Sequence, residues 1–150
     1  MSFRKFLIIA IVACLFVAPV TYGETSDNFK IPDVFENVSE AQIDEYGVYN
    51  LKSDENITLC TNKYRADDYD LFFKNHSGEN YHVSKLSNNM TLGRDSDLND
   101  THILEIVEHK GAKYMVFIEI SKNATNDTVN DCVKYLEKFN ELNNVNPVTP

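Results

Sequence analysis

The sequence predicts an α+β fold: a small antiparallel sheet of about five strands, with one C-terminal amphipathic helix packed on one face. Three observations predict it. Residues 46–120 are rich in aromatic and branched side chains with period-two alternation. Residues 126–144 repeat apolar side chains at helical spacing. The order, strands first and a helix last, belongs to α+β rather than doubly wound α/β proteins.

In chain order, residues 1–23 have the layout of a signal peptide. Arg4 and Lys5 are basic, residues 6–20 are an uncharged and almost wholly apolar run, Thr21 and Gly23 are small, and Glu24 and Asp27 are acidic. The run is 15 residues long, short of the roughly 20 that a bilayer span needs. Cleavage after about Gly23 is therefore expected. Two rival readings use the same residues: an uncleaved, tilted anchor, and a lipoprotein box at Ile11-Val12-Ala13-Cys14 with Cys14 lipidated. Membrane contact is expected only if the segment is retained or lipidated.

Residues 24–45 read as a polar N-terminal lead, with Pro32 fixing a turn or extended stretch and Ser39 with Gln42 able to cap one helical turn. Residues 46–143 read as a single α+β domain, and residues 144–150, with Pro147 and Pro150, as a short flexible tail.

Within the domain, "YGVYNL" and "NITLCT" read as strands, the second alternating Ile57 and Leu59 against Thr58 and Cys60, with Asp54-Glu55 at the turn. "YDLFFK" and "NYHVSKL" read as a hairpin around residues 75–79, with Leu71 and Phe73 on one face. "HILEIVE" and "YMVFIEI" are the clearest pair, joined by His109-Lys110-Gly111-Ala112, where glycine supplies the left-handed residue of a bulged turn. Tyr114, Val116, Ile118 and Ile120 share one face and Met115 and Phe117 the other, as in a central or helix-covered strand. The final helix carries Val129, Cys132, Val133, Leu136, Phe139 and Leu142 on its stripe, with Asp127 or Thr128 as its cap.

Composition bounds the function. The net charge is −9, and about −11 once residues 1–23 with their two cations are removed. There is no basic stripe to neutralise a phosphate backbone, so a nucleic-acid partner is not expected. After cleavage Cys60 and Cys132 remain, and in an oxidising compartment two thiols have one pairing. That disulfide would close a loop of about 70 residues, worth roughly 4 kcal/mol by chain entropy. Two buried free thiols are the alternative. Neither cysteine has a neighbour suited to lowering its pKa, so thiol catalysis is not expected.

Seven sequons follow the signal, at Asn37, Asn56, Asn75, Asn89, Asn99, Asn123 and Asn126. They make the chain read as a glycoprotein, although one rich in asparagine forms such triplets by chance. Asn123 and Asn126 are too close for both to be modified efficiently. In "RDSDLND", Asp95, Asp97 and Asn99 match the start of a calcium-hand loop, but the glycine and final glutamate of that loop are replaced by Asp100 and Ile106. A generic acidic loop is the better reading, and weak calcium binding by a less regular loop is the alternative. His76, His82, His102 and His109 have no close metal spacing. No hydrolase, zinc or phosphate-loop motif is present, and no cofactor is expected.

"FKIPD" soon after the signal, "EHKGAKYMVF", the ending "KYLEKFNELNN" and the Asn/Asp/Tyr-rich body resemble small uncharacterised exported proteins of methanogenic archaea. The likeness is one of pattern across most of the mature chain. It implies an envelope location and carries over no functional residue. The expected function is thus an exported cell-envelope or secreted protein, a non-enzymatic binding or surface-structural module whose partner is an envelope or extracellular component. A secreted hydrolase or processing accessory without a recognisable motif is the alternative.

Overall fold

The computed structural model describes residues 29–38, 46–64, 68–75, 80–86 and 89–149. The expected signal peptide, residues 1–23, and the expected turn at Ser39–Gln42 lie outside them.

Among the described residues, eight strands form one antiparallel sheet: β1 (Phe35–Asn37), β2 (Tyr46–Leu51), β3 (Asp54–Lys63), β4 (Tyr81–Lys85), β5 (Thr91–Asp95), β6 (Asp100–His109), β7 (Ala112–Ile120) and β8 (Pro147–Val148). Their order is β1-β2-β3-β7-β6-β5-β4, and β8 pairs with β6 beyond the end of β5. Helix α1 (Asp68–Asn75) lies between β3 and β4 in sequence, and α2 (Asn126–Asn143) between β7 and β8. The α+β class and the antiparallel sheet agree with expectation. The sheet exceeds the expected five strands because β5, "TLGRD", has no clear alternation, and because β1 and β8 pair inside the supposed lead and tail.

Strands β6 and β7 occupy the centre, and each is buried on both faces by the alternation of its side chains. Their register is fixed by a two-residue turn in which Lys110 (φ 49°) and Gly111 (φ 80°) both take the left-handed region, with His109 opposite Ala112. Positive φ at both central residues makes this a primed hairpin turn whose twist matches the strands, rather than the expected bulge.

Ile57, Leu59, Ile103, Val107, Val116, Ile118 and Ile120 point to one face and pack against Val129, Cys132, Leu136 and Phe139 of α2. Val48, Cys60, Leu104, Ile106, Met115 and Phe117 point to the other and pack against Phe72 of α1. Helix α1 overturns the expected "YDLFFK" strand. Tyr69, Phe72 and Phe73 stand at helical spacing and turn inward, whereas Leu71 is 38% exposed. The contact of the Phe72 ring with Phe117 on β7 (5.2 Å) and the hydrogen bond between the Tyr69 and Thr91 hydroxyls (3.0 Å) hold the helix against the sheet.

Helix α2 is capped by Thr125, not by Asp127 or Thr128. The Thr125 backbone is extended and its Oγ1 accepts from the Thr128 amide at 3.2 Å. Asn144, at φ 51°, ends the helix in the left-handed conformation. One residue earlier, Asn143 takes both backbone groups of Lys30: Oδ1 accepts from its N–H and Nδ2 donates to its carbonyl, each at 2.8 Å. Phe29 is stacked close by, with ring centroids 4.8 Å from Tyr114 and 5.0 Å from Phe139. Part of the supposed lead is thereby built into the domain.

Candidate functional site

The groups with the most chemistry lie on the α1 face. The β6–β7 register puts His102 directly opposite Glu119. Imidazole Nε2 is 3.9 Å from Glu119 Oε2, and the two side chains are only 3% and 6% exposed. Nδ1 of His102 is 3.5 Å from the Tyr81 hydroxyl, and Glu119 Oε1 accepts from the Ser121 hydroxyl at 2.9 Å. The Phe72 ring meets the imidazole edge-on at 5.3 Å. The result is a polar chain, Tyr81 to His102 to Glu119 to Ser121, running across β4, β6 and the end of β7.

Gly93 makes room for this chain. A Cβ on it would fall on the Tyr81 hydroxyl and ring, so no side chain fits there while Tyr81 reaches toward His102. Burial pushes the Glu119 carboxyl up to about 7, against the opposing pull of the Ser121 hydrogen bond. The Tyr81 phenol is raised by burial and then by the nearby Asp95 charge. Two strands away, the Tyr46 hydroxyl donates to Cys60 Sγ at 3.8 Å, and burial raises both groups far above neutral pH. Cys60 is thus an inert thiol. The imidazole–carboxyl pair can hold and pass a proton, but it is sealed from solvent.

Among the described residues, the α2 face buries one acid. Glu105 Oε2 accepts from Asn140 Nδ2 at 3.0 Å, while Glu105 Oε1 and Asn140 Oδ1 are buried without a partner. Burial pushes Glu105 up to about 8 despite that hydrogen bond, helped by the charge of Glu137. Both orphaned atoms are acceptors, and one proton on the carboxyl supplies the donor they lack.

The disulfide expectation is overturned. Cys60 and Cys132 are both free and buried. Cys60 belongs to the α1-face cluster and Cys132 to the α2-face cluster, so the sheet separates them. Burial pushes the Cys132 thiol up to about 12, so it too is inert.

Asp95, Asp97 and Asn99 build the β5–β6 turn. Asp95 Oδ1 accepts from the amides of Asp97 (3.0 Å) and Leu98 (3.1 Å), Asp97 Oδ2 accepts from Asn80 Nδ2 (2.5 Å), and Asn99 takes φ 53°. Asp95 satisfies the turn's backbone, and Asp97 ties the turn to the Asn80 side chain. Among the described residues, no group of three or more His, Cys, Asp or Glu is placed to hold a metal. Of the sequon asparagines, Asn37, Asn89, Asn99, Asn123 and Asn126 are exposed and Asn56 is half-buried. Asn75 closes α1, and its side chain lies outside the described residues, as does His76.

The sequence reading missed the His102–Glu119 pair. Its signal was present: with the turn at Lys110-Gly111, counting back along both strands makes these residues partners. No protein-family model, curated protein or solved structure matches this chain.

Proposed function

We propose that the protein is an exported cell-envelope or secreted module that binds or shields at the surface rather than catalysing a reaction. One observation carries this reading: the described groups closest to a catalytic constellation are walled into the cores. The His102 and Glu119 side chains are nearly sealed, and both thiols are buried and raised well above neutral pH. Catalytic groups work at surfaces that substrate can reach. The exterior is instead acidic and dotted with exposed sequon asparagines, a composition suited to solubility outside the cell. Its partner would be an envelope or extracellular component.

Fractionation of the native cells, with intact mass of the recovered protein, tests the reading. A chain starting near Glu24 in the envelope or medium is expected. A chain retaining residues 6–20 replaces cleavage by anchoring, and one starting at an acylated Cys14 replaces it by lipidation. Recovery from the cytosol alone overturns export.

A secreted hydrolase is the second reading, favoured by a carboxyl pushed up to about 7 beside an imidazole. It requires α1 to move away from the pair. Ester, peptide or glycoside hydrolysis that is lost in His102→Gln but kept in Cys132→Ser would establish it.

A further inference from the structure

The two ends of the sheet differ in what they carry. The β2–β3 turn, the β5–β6 turn and the β7–α2 loop meet at one end, because Leu51 lies opposite Asp54, Ile57 and Thr101 both lie opposite Ile120, and Asp95 lies opposite Asp100. The Ser121 amide bonds the Asn56 carbonyl at 2.8 Å, and the Arg94 guanidinium reaches Asn126 at 3.4 Å. Four sequon asparagines therefore collect at this end: Asn56, Asn99, Asn123 and Asn126. At the opposite end are the β6–β7 turn, the last turn of α2, and the point where the chain enters the fold, with Phe29 on His109, Tyr114 and Phe139. Of the other described sequons, Asn37 lies in edge strand β1, and Asn89 precedes β5 at the entry end.

Chance supplies only some of the triplets. With 18 serines and threonines among 150 residues, about two of the 17 asparagines would have one two places on, and seven do.

Resting on the exported reading, we propose that the end built from the β5–β6 turn and the β7–α2 loop is a carbohydrate-bearing pole, N-glycosylated at Asn99 and Asn123. Both side chains are exposed, and both residues lie in connections rather than in a strand or helix. Their neighbours at this pole are poorer acceptors. The Asn56 amide is half-buried and donates to Asp54 at 3.0 Å. Asn126 opens α2, accepts from Arg94 and lies three residues from Asn123. In the reaction the amide nitrogen bonds to the anomeric carbon of a glycosyl phosphate donor. The anomeric C–O bond breaks, the phosphate leaves with its electron pair, and one amide proton passes to a base. Phe29, the first described residue, sits at the opposite end, against Tyr114 and Phe139.

Glycopeptide mass spectrometry on protein from the native cells, read together with its fraction and N-terminal mass, tests the proposal. Sugar-sized increments are expected on the peptides carrying Asn99 and Asn123, the first lost in Asn99→Asp and the second in Asn123→Gln. Exported protein with both sites bare, or with sugar only at Asn37 and Asn89, overturns the pole and leaves export standing. Bare protein confined to the cytosol overturns both.

Discussion

The two faces of the sheet are made from alternate residues of the same strands, yet they differ in kind. Among the described residues, the α2 face is mainly hydrocarbon, pinned by an 18-residue helix, with Glu105 as its one buried acid. The α1 face has a shorter, 8-residue helix over fewer apolar residues, interleaved with Tyr46, Cys60, Tyr81, His102 and Glu119. One strand can supply an apolar core and a polar layer at once, because its period is two. The difference teaches where stability and chemistry reside: the long helix contributes most of the burial, and the short one covers most of the titratable groups.

The largest expected effect tests that division. Phe139→Ala on the α2 face should cost about 3–5 kcal/mol in denaturant unfolding. Phe72→Ala on the α1 face should cost less, because a short surface helix relaxes around the cavity. Equal losses would erase the contrast.

The second effect is pH dependence, where both faces act in the same direction. Glu105 and Glu119 are raised from 4.5 to about 8 and about 7. Between the unfolded value and these, the folded state holds protons that the unfolded chain has released. Stability should therefore fall as pH rises from about 4.5 to about 8 and then level off, with a slope approaching 1.4 kcal/mol per pH unit for each group. Glu105→Gln should remove the portion of the slope nearest pH 8, and Glu119→Gln should leave it. A stability curve that rises over this range would contradict the burial of both acids.

A smaller effect is specific to the α1 face. Gly93→Ala should displace Tyr81 from His102 and cost about 1–3 kcal/mol by overpacking. The His102 ring proton resonances should shift while signals from α2 stay in place; unchanged His102 resonances would mean that Tyr81 is not held there.

The smallest effect is nil by expectation. With Cys60 and Cys132 on opposite faces, a reductant should leave the melting temperature unchanged, and two thiols should titrate in denatured chains beginning near Glu24. One disulfide per chain would require a different packing of α2.

Much of the α2 face was legible in the sequence. The stripe of Val129, Cys132, Leu136 and Phe139 has the period of a helix, and the alternation of β7 ends at a glycine turn. The α1 face was less so. In "YDLFFK", aromatic composition suggested a strand, while the spacing of Tyr69, Phe72 and Phe73 fits a helix, and in a window that short only packing decides. Strands β1 and β8 have no local signal, because three and two residues are ordered by their partners rather than by propensity. The disulfide failed for a readable reason. Ile57 and Leu59 face α2, so Cys60, one residue on, must face away. Placing both cysteines in apolar elements was not enough; their parity decided.

The grip of Asn143 on Lys30 joins residues 113 positions apart. While the chain is threaded through a ribosome, the carboxamide that Lys30 requires has not yet emerged. The entry segment therefore stays undocked until the last turn of α2 is free, and the domain closes as a late, whole-chain event. Such distant pairing slows folding.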